Sequence, residues 1–365
     1  MDLDPFFFAS HLYAAEGLTS ARAPPNSLLP SQKRHQNFAT ILYHRIIQVN
    51  VAPGPRKMRR SMNVPRRTTF LPAIENLQLA LVQHAYSIAK SICSNGSWKC
   101  VVLVDSPLTT YTKLRTHGQS DSSSVTLKTE LFQGGYEDFP SSHREETAHG
   151  SRPQKQGLLD DLLFYWRQGP PDHFVIGNPS LVQLSYFALR IISAEWVNYE
   201  TLMNITARDL EYTIPDVPDP GVEMEKLNQN LKSLQSWQRR SKATQIKIKS
   251  AIHLVKRENR DGEPWNSLLE DYQHLSENML DYGERLARML PMVASFVQII
   301  DARRSLAETT NISRLTILAL VFVPLTFVTG VFSMNPKFGP GGAHFWLYFA
   351  VALPMTIVMF CVARS

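Results

Sequence analysis

The hydrophobic positions are concentrated near the end of the chain, in two uncharged segments. Residues 315–332 read LTILALVFVPLTFVTGVF, and residues 345–362 read FWLYFAVALPMTIVMFCV. A helix of that length rises about 27 Å, close to the thickness of a bilayer's hydrocarbon layer. Two core helices of a soluble domain are the alternative, but such helices normally keep a polar face. The pattern therefore predicts two transmembrane helices.

The segment between these two stretches is short and rich in residues that break helices. Residues 333–344 read SMNPKFGPGGAH, which predicts a tight antiparallel hairpin. Positive charge precedes the first stretch at Arg303, Arg304 and Arg314 and follows the second at Arg364. By the positive-inside rule, both termini are expected in the cytoplasm and the loop outside.

The first half of the chain mixes strand and helix patterns, which predicts an α+β cytosolic domain. Residues 106–157 are rich in Ser, Thr, Gly and His and are interpreted as a flexible insertion, with a hairpin around 125–132. The strand candidates, from β-branched and aromatic composition, are 38–51, 99–104 and 174–176. The helix candidates, from broad apolar faces, are 73–94 and 180–209.

Two long helical patterns follow. Residues 224–256 are highly charged with a thin apolar stripe, typical of an exposed arm. Residues 265–332 have no strong break except Pro291, so one stalk helix is expected to continue into the membrane. The predicted organisation is a cytosolic domain (1–222), a helical arm and stalk (223–314), transmembrane helix 1 (315–332), an external loop (333–344) and transmembrane helix 2 (345–362).

Composition narrows the classes further. The 365 residues carry a formal net charge of +6 and include only Cys93, Cys100 and Cys361, so neither a disulfide framework nor a four-cysteine zinc site can form. The start, MDLDPFFF, lacks the basic region of a secretory signal. The basic run 56–67 could bind anionic lipid or nucleic acid or act as a nuclear signal, but its prolines and missing aromatics favour a solvated loop. We expect no nucleic-acid partner.

Enzyme signatures are missing from the sequence. No dinucleotide fingerprint, P-loop, HExxH zinc motif or GxSxG elbow occurs. His143 and His149 flank two glutamates in a polar loop that offers metal ligands no rigid frame. Asp160 and Asp161 are adjacent at an expected helix start, where the helix dipole accounts for them. We therefore expect no enzymatic activity.

A line of small and polar residues follows one side of the first transmembrane segment. Steps of three or four residues bring its members to one helix face. That face could line water inside an oligomer or pack ordinary helix neighbours, and periodicity leaves both open. The line consists of Asp301, Ser305, Thr309, Ile312, Thr316, Ala319, Val323, Thr326 and Gly330.

The stretch FVPLTFVTGVFSMN, residues 322–335, resembles the end of the pore helix and signature of CorA-type magnesium transporters. The order of domain, long helices, stalk, short loop and second span is similar, and the opening DLDPFFFASHL resembles fungal CorA-like proteins. The resemblance implies a homopentamer in a lipid bilayer, expected at the plasma membrane. It implies Mg²⁺ as the transported and regulatory ion, with no organic cofactor.

The resemblance also implies roles for particular positions. It places a selectivity ring at Ser333, Met334 and Asn335 and candidate regulatory metal ligands at Asp301 and Glu308. The pore-lining positions that it implies are Thr309, Ile312, Leu315, Val323 and Thr326.

Two residues depart from the family pattern. Ser333 replaces the signature glycine, and Lys337 puts a positive charge directly after the ring. The first hypothesis is a CorA-like divalent metal channel. The alternative is a CorA-derived protein that conducts no ions and serves as a membrane-tethered interaction or sensing module.

Overall fold

The computed structural model describes residues 3–13, 36–49, 56–58, 66, 68–71, 77–106, 112–116, 125–127, 129–138, 154–172, 174–213, 220–258, 263–334 and 344–364. Its contacts divide the chain into two compact units. The first comprises residues 1–216 and 232–290, and the second comprises residues 217–231 and 291–365.

An antiparallel sheet is the centre of the first unit. Its order is β3-β4-β1-β8, with β5 also paired to β4, while β2, β6 and β7 form a separate sheet. The long pairing of β1 with β4 runs from Phe38 opposite Ala89 to Gln48 opposite Leu79. The strands are β1 (Phe38–Val49), β2 (Arg56–Met58), β3 (Thr68–Phe70), β4 (Leu79–Ile92), β5 (Trp98–Val104), β6 (Thr112–Thr116), β7 (Val125–Leu127) and β8 (Thr129–Leu131).

The long helices follow the sheet in the sequence. The structure confirms the predicted helices at 180–209, 224–256 and 265–332, with ends that differ from the prediction by one to four residues. The helices are α1 (Pro5–Tyr13), α2 (Leu158–Gln168), α3 (Leu181–Thr213), α4 (Pro220–Glu258), α5 (Glu263–Ser333) and α6 (Trp346–Arg364), with a short 3₁₀ turn at Phe132–Gly134. Asp160 and Asp161 lie in the first turn of α2, as expected.

The helix expected at 73–94 is wrong, because residues 79–92 form strand β4. β4 is buried at every position from Leu79 to Ala89, since it pairs with β1 on one side and with β3 and β5 on the other. A strand covered on both faces loses the alternation of apolar and polar residues, so its sequence resembles a broad helical face.

Two smaller strand predictions are also wrong. Residues 174–176 form no strand; the carbonyl of Ile176 instead accepts a hydrogen bond from the indole nitrogen of Trp98 at 2.7 Å. The region 125–132 does contain two strands, but they do not pair as a hairpin. β7 pairs with β6, whereas β8 pairs with β1. The strands expected at 38–51 and 99–104 are confirmed as β1 and β5.

Helices cover both faces of the main sheet. On one face, Phe7 of α1 packs with Phe38 and Ala89, and Val101 and Leu103 of β5 lie against this cluster. On the other face, the Tyr86 hydroxyl donates to Ser185 of α3 at 3.2 Å. The unit is therefore built from three layers, α1, sheet and α3, around an apolar core.

Buried polar networks join these layers. Across the β1–α3 interface, the Arg45 guanidinium donates to Glu195 at 2.8 Å, and both side chains are almost fully buried. Beside α1, Arg66 donates to Asp105 at 2.6 Å and to the His11 carbonyl at 2.8 Å. A buried charge without a partner is costly. These pairs therefore specify the positions in which α1 and α3 pack against the sheet.

Candidate cation pathway in the C-terminal helices

Residues 315–332 of α5, in the second unit, are apolar and largely uncovered. Within the described residues, one helix, Trp265–Ser333, is long and apolar enough to cross a membrane, and 11% of its most apolar 18-residue window is buried. A core helix of a soluble protein would be mostly buried at such positions. The described apolar stretch of α6, Trp346–Val358, is shorter than a full span.

One face of this segment of α5 contacts α6. The hydroxyls of Thr329 and Tyr348 lie 3.1 Å apart, and the rings of Phe332 and Tyr348 meet edge to face with centroids 6.2 Å apart. Val328, on the same side of the helix, is 3% exposed, and Ala352 of α6 is 2% exposed. These contacts are made by the Thr, aromatic and small side chains that commonly join membrane helices.

The predicted pore-lining residues lie on the other side of α5. At about 100° per residue, Ile312, Val323 and Thr326 project roughly opposite Val328, and Thr309 lies at the margin of their face. Ile312 is 64% exposed and Val323 is 59% exposed, and Leu315, at the margin of this face, is exposed as well. The face that was expected to line a pore is therefore left uncovered by the packing of α5 against α6.

The threonines on this uncovered face already have partners for their protons. The Thr309 hydroxyl donates to the Ser305 carbonyl at 2.8 Å, and the Thr326 hydroxyl lies 2.9 Å from the Phe322 and Val323 carbonyls. A hydroxyl that donates to its own helix still presents oxygen lone pairs outward. These positions can therefore accept hydrogen bonds from the water of a hydrated cation.

The predicted selectivity ring lies where α5 ends. Ser333 is the last residue of the helix, and Met334 lies in the following turn with 86% of its surface exposed. The amide nitrogen of Met334 donates to the Val331 carbonyl at 3.4 Å. Asn335 and Lys337 lie outside the described residues. The structure therefore places two of the three ring positions at the end of the candidate pore helix.

The two candidate regulatory carboxylates do not form a metal site within one chain. Asp301 and Glu308 are two helical turns apart, and Glu308 accepts a hydrogen bond from Arg304 at 3.2 Å. No cluster of three or more His, Cys, Asp or Glu side chains that could hold a metal occurs in the part of the chain that the structure describes. Any regulatory site that uses these residues needs a ligand from elsewhere.

Tyr348 is the residue of this region whose role the sequence pattern did not indicate. An amphipathic aromatic of this kind commonly lies at the membrane–water interface. The structure places it on Thr329 and Phe332, and stacks its ring on Phe345 with centroids 6.3 Å apart. It thereby decides which threonines face α6 and which face away.

Comparison with known proteins identifies the family of this chain. The family model for the CorA-like Mg²⁺ transporter protein matches residues 176–364, just over half of the chain. The chain belongs to the CorA-like Mg²⁺ transporter family. The family match begins before α3 and includes α4, α5 and α6, so it covers the long helices and the candidate pathway together.

Solved structures are also similar to this chain. The CorA magnesium transporter from Methanocaldococcus jannaschii is 17% identical, with a TM-score of 0.33. The alignment covers 56% of this chain and 62% of that chain, so this chain spans about three fifths of its length. No curated protein matches this sequence. The family model itself describes Mg²⁺ transporter proteins.

Proposed function

We propose that the chain forms a homo-oligomeric pore from α5 and moves Mg²⁺ across a membrane. The observation that carries the proposal is the uncovered face of α5, on which Thr309, Val323 and Thr326 lie opposite the contacts with α6. A single helix cannot enclose a path for an ion. Several copies that turn this face inward would surround one, and the family resemblance implies five.

The chemistry of the face suits a hydrated cation. Mg²⁺ releases its water reluctantly, so a pore that hydrogen-bonds the hydration shell need not strip the ion. A ring of Asn335 amide oxygens, with Ser333 and Met334 beside it, would admit the ion at the outer end. Further in, Thr326 and Thr309 would contact water, while Val323, Leu315 and Ile312 would form apolar constrictions that dehydrate when narrow.

The proposal includes a topology and a mode of regulation. We place two spans in the plasma membrane, with α6 as the second span and both termini in the cytoplasm. Asp301 and Glu308 would bind cytosolic Mg²⁺ together with carboxylates of a neighbouring copy. Glu308 would then give up its hydrogen bond with Arg304 and bind the ion instead. Binding at that position would hold the stalks together and favour a closed pore.

A second candidate function rests on two positions. Ser333 adds a side chain where the family signature has glycine, and Lys337 would put a ring of positive charge at the mouth. A CorA-derived module that binds partners without conducting ions would keep the oligomer and lose the flux.

Cation uptake by reconstituted vesicles tests the proposal. Cys93, Cys100 and Cys361 are first replaced by serine, and single cysteines are then introduced as Val323→Cys or, for the control, Val328→Cys. A polar thiol reagent should block Mg²⁺ uptake through Val323→Cys by about tenfold or more, because that position would face the pore. Val328→Cys, which is 3% exposed, should be unaffected.

The results separate the two functions. No Mg²⁺ uptake by the wild type, with none gained from Ser333→Gly, contradicts a conducting pore and supports the interaction module. Uptake that the reagent blocks equally at both positions contradicts α5 as the pore helix.

A further inference from the structure

The outer face of α4 in the first unit is a continuous basic stripe. Residues 232–257 contain eight lysine and arginine residues and no aspartate or glutamate. Lys242, Lys249 and Lys256 follow one another at intervals of seven residues, and all three are exposed. Seven residues are close to two helical turns, so these lysines lie in one row about 21 Å long.

The same unit carries an acidic stripe of equal period on α5. Glu270, Glu277 and Glu284 are also seven residues apart and exposed, so their row has the same length of about 21 Å. No ion pair in the described residues involves any of these three glutamates or the three lysines. Two rows of opposite charge and matching length are therefore left without partners in the described protomer.

A groove with a mixed polar and apolar lining runs beside the acidic stripe. It lies between α3 and α5 and has a volume of about 500 Å³. Val197, which is 52% exposed, lies in the groove with Leu275, and Asp271 and His274 line its α5 side. On α4, Ile246 lies between Lys242 and Lys249 and is 69% exposed. The basic stripe therefore has an apolar centre, and the recess beside the acidic stripe presents Val197 among polar side chains.

We propose that the basic stripe of α4 in one copy docks against the α3–α5 groove and acidic stripe of a second copy. Lysine rows would meet glutamate rows, and Ile246 would enter the recess at Val197. The inference rests on the proposed homo-oligomer and adds which cytosolic surfaces join its copies. Charge complementarity of this kind specifies the register of an interface and speeds its assembly.

Other anionic partners fit the stripe less well. A helix that binds a lipid surface needs an apolar face free to enter the bilayer, whereas the apolar face of α4 is buried in the unit at Leu234, Trp237 and Ile248. Single-stranded nucleic acid needs aromatic side chains on which bases stack, and the exposed stripe has none. A second copy of this chain supplies the required charge, spacing and recess.

Charge reversal in the full-length protein tests the docking. Lys242→Glu with Lys249→Glu, or Glu270→Lys with Glu277→Lys, should weaken self-association by about tenfold, because like charges then face each other. The variant with all four substitutions should recover self-association, because glutamates on α4 then face lysines on α5. The control, Lys99→Glu with Arg167→Glu, makes the same charge change as the lysine double variant, at exposed sites elsewhere in the chain. Self-association is measured by sedimentation in detergent at about 0.1 M salt, where charge is only partly screened.

Each outcome decides the inference. Weakening by both double variants with recovery in the combination supports it, and the recovery excludes misfolding as the cause. Failure of the combination to recover overturns it. The docking is also overturned if the lysine double variant no longer binds phosphatidylserine vesicles but self-associates as the wild type does. A monomeric wild type overturns the proposed function as well. If the wild type forms oligomers and takes up Mg²⁺, and no reversal variant changes either property, only the docking is overturned.

Discussion

Buried carboxyl groups in the first unit differ in the direction of their pKa shifts because their partners differ. Burial alone would raise the pKa of Asp105, but hydrogen bonds from His11 and Arg66 and the charge of Arg66 hold it well below its usual range. At Glu195, by contrast, burial outweighs the attraction of Arg45 and raises the pKa. The Asp105 cluster is thus a part of this unit that acid would weaken.

Asp105→Asn should destabilise the protein in a manner that depends on pH. Because the pKa of Asp105 is lower in the folded state, its stabilisation is present above 3.8, the ordinary aspartate value, and is lost as the pH falls below it. At pH 7 we expect a loss of about 3 kcal/mol, since Arg66 keeps a buried charge without its partner. The penalty, measured by thermal unfolding of the full chain in detergent, should shrink at acid pH.

The exposed Asp172→Asn is the control for this change and should have little effect at either pH. An Asp105→Asn penalty of the same size at pH 3 and pH 7 would show that the charge of the carboxylate is not what stabilises the cluster.

At the scale of elements, a close approach of α4 and α5 depends on one glycine. The Ser241 hydroxyl donates to the Met279 carbonyl of α5 at 2.5 Å. A Cβ placed on Gly283 would lie 2.6 Å from that hydroxyl oxygen, well inside normal contact distance. The contact explains why glycine occupies the interior of a long helix, where its backbone freedom would otherwise cost stability.

Gly283→Ala should therefore destabilise the helix pair by about 1–3 kcal/mol, because the added methyl group overpacks the contact. Ser241→Ala removes the opposing hydroxyl, so the double variant should lose less than the sum of the two single variants. Thermal unfolding of the four proteins measures this coupling. Strict additivity, or a more stable Gly283→Ala protein, would contradict the contact.

At the scale of the whole molecule, assembly multiplies the effect of any charge near the pore axis. In the proposed homopentamer, Lys337 would occur five times at the outer mouth and would lower the local concentration of Mg²⁺. The same residue in a monomer would have little influence on a cation. Ion flux is therefore a property in which one side chain and the symmetry of the assembly act together.

Lys337→Glu should raise the initial rate of Mg²⁺ uptake by about tenfold at low ionic strength, because a negative ring attracts the ion. The increase should diminish as salt rises, since the charges are then screened. Lys99→Glu, an exposed change on β5, is the control and should leave the rate unchanged. Equal rates for Lys337→Glu and wild type at low salt would place Lys337 away from the ion's path.

The sequence by itself determined the long helices and the order of the chain's parts. The patterns at 224–256 and 265–332 were sufficient for α4 and α5, because helical hydrogen bonds are local and apolar periodicity reports them directly. The same periodicity also placed Thr309, Ile312, Val323 and Thr326 on one face of α5. Family membership was likewise indicated by the order of these elements and the stretch 322–335.

Only the tertiary structure decided which strands pair and which face of α5 is covered. β4 is a strand rather than a helix because β1, β3 and β5 bury it, and those partners are distant in sequence. Thr326 and Thr329 are three residues apart, equally polar and both exposed, yet it is Thr329 that the Tyr348 hydroxyl contacts. Local pattern reports the chemistry of a side chain, whereas burial depends on neighbours that folding brings from elsewhere in the chain.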